Sequence, residues 1–155
     1  MTAIAAPTAT FIDCLVDHFS LSYRVAHRNF DGISHDEAMV QPQPGGNTVH
    51  WIARHLVGTR DRFLPALGQR PVVSAPVETL RLEELIAAWS ESQDRLITGL
   101  RDLTERHLES DAPFSVGGGP VSPLGPFLIR CTFHEAYHVG QIGILRRILG
   151  KPGVM

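Results

Sequence analysis

The sequence predicts an all-α protein, a four-helix bundle with long connecting loops, folded as a single domain over residues 1–155. Three observations carry that prediction. Four segments repeat their apolar residues at the helical period, and none alternates as a strand would. Glycine and proline cluster most densely between those segments, as at Pro42 to Gly46 and Gly117 to Pro120. A chain of 155 residues with 43% hydrophobic and 19% charged side chains is also long and apolar enough for one packed core.

The first helix is predicted from about Phe11 to Asn29, with Phe11, Ile12, Leu15, Phe19, Val25 and Ala26 on its apolar stripe and His18 at the stripe's edge. Asp31 to Gly46 reads as a connector rich in glycine and proline, with a short helical turn at Ser34–Val40. The second helix opens at Asn47, a good N-cap after two glycines, and runs to about Leu67. Pro65 kinks or shortens its last turn, and Gly68 follows as the C′ residue. Its apolar face is Ile52, Leu56, Phe63 and Ala66. The third helix, from about Thr79 to His107, turns Leu82, Leu85, Trp89, Leu96, Leu100 and Leu103 inward and its charged residues outward. The fourth takes Ser122 as N-cap with Pro123 at the first helical position, where the missing N–H costs nothing, although Pro126 admits a later start. Arg146 and Arg147 complement the dipole at its far end before Gly150, Lys151 and Pro152 stop it.

Composition narrows the function. A formal charge of −2 speaks against a nucleic-acid partner, which calls for a basic face. No apolar run approaches the roughly 18 residues of a membrane span. Met1 to Thr10 carries no basic residue, so no secretory signal is expected and the protein is read as cytoplasmic, with neither membrane nor nucleic acid as a partner. Two cysteines, Cys14 and Cys131, make no disulfide framework. Neither Gly45-Gly46 nor Gly117–Gly119 is followed by the lysine of a phosphate-binding loop.

Eight histidines are many for this length, and two of them are placed informatively. His134 and His138 stand one turn apart, about 40° round the helix, inside the apolar stripe of the fourth helix. A single histidine there is usually a hydrogen-bonded core residue; two in register would each need a buried partner, and a shared divalent ion meets both needs. On the second helix His55 borders the inward stripe, whereas His50 lies about 140° away from it and should face solvent. His55 is therefore the better candidate for a third ligand, and a three-histidine set leaves a coordination position open for water or substrate. Three imidazoles suit zinc, nickel, iron or copper without choosing among them.

The string His134-Glu135-Ala136-Tyr137-His138 also satisfies the H-E-x-x-H motif of zinc proteases. Its context does not fit. The longer metalloprotease pattern would need Gly at 141 and His at 144, where Gln141 and Ile144 stand, and no acidic residue follows Glu135. The sequence instead resembles the DinB/YfiT-like metal-binding helical bundles. The similarity rests on Asn47-Thr48-Val49-His50-Trp51-Ile52-Ala53-Arg54-His55-Leu56 and on His134-Glu135-Ala136-Tyr137-His138-Val139-Gly140-Gln141-Ile142, with the ending Leu145 to Gly150 similar as well. The resemblance implies a divalent ion on His55, His134 and His138. It also implies kinship with metal-dependent thiol-S-transferases and isomerases that use low-molecular-weight thiols, and a homodimer as the assembly.

Other residues near the motif carry two readings each. Gln141 contacts a bound water or substrate, or is a polar residue at a helix seam. Glu135 orients a ligand histidine, acts as general base, or is a surface glutamate. Tyr137 lines a substrate pocket or packs. His18 joins the substrate site or the ligand set, or is a half-buried hydrogen-bonded residue. Cys131 is a fourth ligand or a small core residue. The leading functional expectation is a metal-dependent transferase that passes a thiol to a small electrophile. The alternatives are a non-catalytic metal module, structural or sensory, and a metal-dependent hydrolase with Glu135 as base.

Overall fold

A computed structural model describes residues 9–154. Within them the chain is helical and carries no strand, only an isolated bridge between Asp111 and Pro123. Four long helices, α1 (Phe11–Phe30), α3 (Val49–Phe63), α4 (Leu82–Arg101) and α6 (Leu124–Ile148), are accompanied by one-turn helices α2 (His35–Ala38) and α5 (Glu105–Leu108). α6 packs against α1 and α3, and α4 packs against the same two, so α1 and α3 lie diagonally across the bundle from each other.

Local chemistry sets most of the boundaries. Thr10 caps α1 through Asp13, and Ser34 caps α2 through Glu37, each in a reciprocal capping box. α3 starts one residue later than the sequence suggests, because Thr48 rather than Asn47 is the cap and its Oγ1 accepts from the Trp51 N–H at 3.0 Å. After Phe63 the helix tightens into a 3₁₀ turn, Leu64–Leu67, at Pro65, and Gly68 closes it at φ +71°, a conformation that glycine adopts without strain. α6 begins at Leu124 with Pro123 as its cap residue, so Ser122 lies just outside it.

The third predicted helix is three pieces: a 3₁₀ turn at Val77–Thr79, α4, and α5. The break has a tertiary cause. His50 Nε2–H donates to the Leu80 carbonyl at 2.8 Å, and His35 Nδ1 accepts from the N–H of Leu82 at 3.2 Å. Two histidines thus hold the chain extended at Leu80 and cap α4 from outside. His50 is consequently buried, not solvent-facing as its helical angle suggests. At the other end Thr104 starts α5, with its N–H bonded to His107 Nδ1.

Two apolar clusters fill the bundle. One contains Phe30, Ile52, Leu56, Leu85, Trp89 and Ile142; the other contains Phe19, Phe63, Leu96, Leu100, Phe127 and Leu128. A polar layer lies where they meet. Arg60 sits between Leu56 and Phe63 on α3, Ser92 between Trp89 and Leu96 on α4, and Glu135 between Cys131 and Val139 on α6. Arg146, read from the sequence as a dipole partner, is buried and donates to the carbonyls of Asn29, Asp31 and Pro152, tying the end of α6 to the end of α1.

Candidate metal centre

The α3–α6 seam brings three histidines to one point. His55 lies on α3, and His134 and His138 follow each other by one turn on α6. One ring nitrogen from each lies within 4.8 Å of the others, and His55 Nε2 and His134 Nε2 are 2.8 Å apart. The ring centroids are 4.6–4.9 Å apart. The inward stripe of each helix, which buries Ile52, Leu56, Val139 and Ile142 nearby, fixes where these imidazoles point.

The electrostatics favour neutral rings. Burial lowers the pKa of all three histidines, with His138 adding to the effect at His55 and both neighbours adding to it at His134. His134 is pushed down to about 4. At neutral pH each imidazole therefore keeps a lone pair for a ligand bond. His138 Nδ1–H donates to Gln141 Oε1 at 2.7 Å, which leaves its Nε2 unprotonated and pointed at the cluster. His134 Nδ1 is buried with no hydrogen-bond partner among the described residues. An all-imidazole set of this kind fits a borderline divalent ion such as zinc, nickel or iron, and it leaves at least one position free.

The surrounding residues sort differently from the sequence expectation. Trp51 stacks on His55, with centroids 5.0 Å apart and planes 9° from parallel. Tyr137 stands edge-on to His138, is 55% exposed, and accepts through its hydroxyl from Gln141 Nε2 at 3.2 Å. Gln141 therefore bridges a histidine and a tyrosine at the rim. His18 is exposed and lies outside the histidine group. Cys131 is buried in the apolar cluster beside Phe127, where burial raises its thiol pKa, and it too stands outside the group.

Glu135 requires a correction. Its carboxylate is 2% exposed and receives Arg60 Nε at 2.6 Å and Arg60 Nη2 at 2.9 Å. Arg60 also donates to Ser92 Oγ at 3.2 Å and lies 3.5 Å over the Trp89 ring. Both carboxylate oxygens are engaged by a guanidinium inside the bundle, so Glu135 is neither a free base nor a surface residue. Sequence reasoning missed Arg60 altogether. Its signal was present: Arg60 falls four residues after Leu56 and three before Phe63, on the apolar stripe itself.

Comparison with known proteins agrees with this architecture. The sequence pattern of the DinB superfamily matches residues 18–142. No protein of curated function matches the chain in sequence. Among solved structures, a conserved protein from Enterococcus faecalis superposes with a TM-score of 0.75 at 16% identity, covering 93% of this chain and 100% of its own. YfiT from Bacillus subtilis, described as "a probable metal-dependent hydrolase with an unusual four-helix bundle topology", gives 0.74 at 15% identity, over 98% and 95% of the two chains. A DinB-like protein from Bacillus cereus gives 0.72 at 18% identity, over 91% and 95%. At these identities the likeness is one of fold. No helix among the described residues is long and apolar enough to cross a membrane.

Proposed function

The chain belongs to the DinB superfamily, and from that premise we propose that it is a metal-dependent transferase in which His55, His134 and His138 hold one divalent ion and a low-molecular-weight thiol is passed to a small electrophile. The observation that carries this reading is a group of neutral imidazoles with no carboxylate or thiolate among its members. An ion held there supplies Lewis acidity that lowers a thiol's pKa and favours the nucleophilic thiolate. Gln141 fixes the His138 ring through Nδ1, and Trp51 braces the His55 ring by stacking. Tyr137 offers a hydroxyl at the rim of the histidine group, bonded to Gln141.

Hydrolysis is the competing reading, and it is how the Bacillus subtilis neighbour is described. In this chain the nearby carboxylate is clamped by Arg60, which leaves that route without Glu135 as its base. Elemental analysis of the native protein beside His55→Ala and His138→Ala variants tests the ligand set; unchanged metal in both variants ends the proposal. Metal-loaded protein should then consume a small electrophile in the presence of a thiol, and consumption of ester or amide substrates by water alone would favour hydrolysis.

We further propose a homodimer through the outer face of α6. Ile129, Phe133, Tyr137, Ile144 and Ile148 are each more than half exposed and fall within an arc of about 100°. Together they offer on the order of 600 Å² of apolar surface, near the roughly 800 Å² per partner of a standard interface. One helix face meeting its own copy is self-complementary by symmetry. Sedimentation should give a dimer for the native chain and a monomer for Phe133→Lys; a native monomer at high concentration refutes it.

A further inference from the structure

A cleft of about 370 Å³ opens on the other side of His55, lined by Trp51, Arg54, His55, Gly58, Thr59 and Arg62. His55 is thus the wall shared by the cleft and the histidine group. Arg54, Gly58 and Arg62 follow one another at intervals of four on α3, so they share one face of the helix with a glycine between two guanidinium groups. A Cβ at Gly58 would touch only Val77, at 3.9 Å, and the space between the arginines is open.

Neither arginine makes an ion pair or side-chain hydrogen bond among the described residues, although five other arginines of this chain do: Arg60, Arg81, Arg95, Arg130 and Arg146. Arg62 is steadied by lying 4.1 Å over the Phe114 ring. Arg54 is half-buried. Glu78 is exposed on the opposite rim and reaches neither. Two arginines against one glutamate leave the cleft with one net positive charge, which matches a monoanion better than a phosphate dianion.

We infer that the substrate drawn to this centre carries a carboxylate, seated between Arg54 and Arg62 while its reacting end meets the histidine group across His55. Guanidinium groups bind carboxylates in paired hydrogen bonds, and an arginine without a protein partner has those donors free. The apolar ring of Trp51 and the methyls of Val77 complete a cleft for a short organic acid rather than for a bare ion. The inference rests on the metal–thiol reading above.

The test uses the full chain loaded with cobalt in place of its native ion, titrated with 3-mercaptopropionate and with 2-mercaptoethanol while the cobalt–thiolate absorption is followed. The mercapto acid should bind at least about tenfold more tightly than the alcohol, the increment expected of a charge-assisted hydrogen bond. Arg54→Ala should remove most of that advantage without changing 2-mercaptoethanol binding, and Arg54→Lys should restore part of it. Thermal melts matching the native chain would show that both variants fold, as expected for an unpaired, half-buried side chain. Equal binding of the two thiols, or an advantage that survives in Arg54→Ala, overturns the arginine cleft and leaves the metal–thiol proposal standing. A cobalt spectrum that neither thiol changes overturns both.

Discussion

Two polar clusters sit side by side on the α3–α6 seam, the first joined also by Ser92 and Trp89 of α4, and their hydrogen bonding is completed to different degrees. In one, Arg60 engages both oxygens of Glu135, Ser92 and the face of Trp89, and every charged atom has a partner inside the protein. In the other, three imidazoles crowd together while His134 Nδ1 has none. Buried polar groups are normally satisfied from within, and the charged groups of the first cluster obey that rule, although the Trp89 Nε1–H beneath the guanidinium has no partner among the described residues. The second departs from it one residue away, at His134 beside Glu135. The contrast separates two uses of polarity in a core. Arg60–Glu135 ties α3 to α6 between the two apolar clusters, on the same pair of helices that sets His55 opposite His134. The imidazoles are left with the capacity to bind something else.

The largest effect should come from breaking the satisfied cluster. Arg60→Ala leaves a carboxylate buried with no counter-charge, a change that costs about 3–5 kcal/mol. For a chain of this size that is a fall in melting temperature of roughly 10 °C. Replacing both partners together, Arg60→Met with Glu135→Leu, removes the desolvation cost along with the attraction and should return stability to within about 1 kcal/mol of the native chain or above it. If the clamp aligns the two helices, the double variant should nonetheless bind metal more weakly. Native stability with native metal affinity in that variant would show that the apolar clusters alone set the register, and the contrast between the two polar groups would lose its structural half.

A smaller effect is expected from Gln141→Ala. The side chain lies near the surface and holds His138 by one hydrogen bond, so the fold should be unaffected. Losing the residue that orients a ligand histidine typically costs 10–100-fold in metal affinity. Competition against a chelator measures it, with His18→Ala as the exposed control that should change nothing. Equal affinities in all three proteins would mean that the His138 ring is held by packing against Trp51 and Tyr137 instead.

How much of this could be read from the sequence follows from the range of each interaction. The helices and the histidine group were legible because their signals are local, apolar periodicity and two histidines one turn apart, whereas the caps read at Asn47 and Ser122 each fell one residue before the observed ones, Thr48 and Pro123. The break at Leu80 was not, since neither glycine nor proline marks it; His35 and His50 impose it across 47 and 30 residues. Arg60–Glu135 was missed for a similar reason, with 75 residues between the partners. A lone arginine on an apolar stripe looks like the stripe's edge until the carboxylate opposite is known. The misplacement of Glu135 is the same error seen from the other helix, because an angle of about 60° from His138 admits both a place at the metal and a place in the core.

The finest distinction between the two clusters lies in their response to acid. In the metal-free protein His134 has its pKa lowered to about 4 from an ordinary value of 6.5, first by burial and then by His138 and His55. His55 and His138 are lowered in the same direction, with burial again the largest cause. The unfolded chain therefore takes up protons at these rings before the folded one does. The stability they confer is complete above pH 6.5 and is lost as the pH falls towards about 4. Glu135 has the opposite sign: burial raises its pKa while Arg60 opposes the rise, so acid favours its folded form over its unfolded one. Thermal melts of the chelator-treated protein across this range, beside a His134→Gln variant that cannot titrate at that position, separate the two contributions. The native chain should lose stability more steeply than the variant between pH 6.5 and 4, and parallel curves would show that His134 is as easily protonated in the fold as outside it. Because the ion competes with the same protons for the same lone pairs, adding zinc should delay the loss in the native chain to lower pH and do far less in the variant.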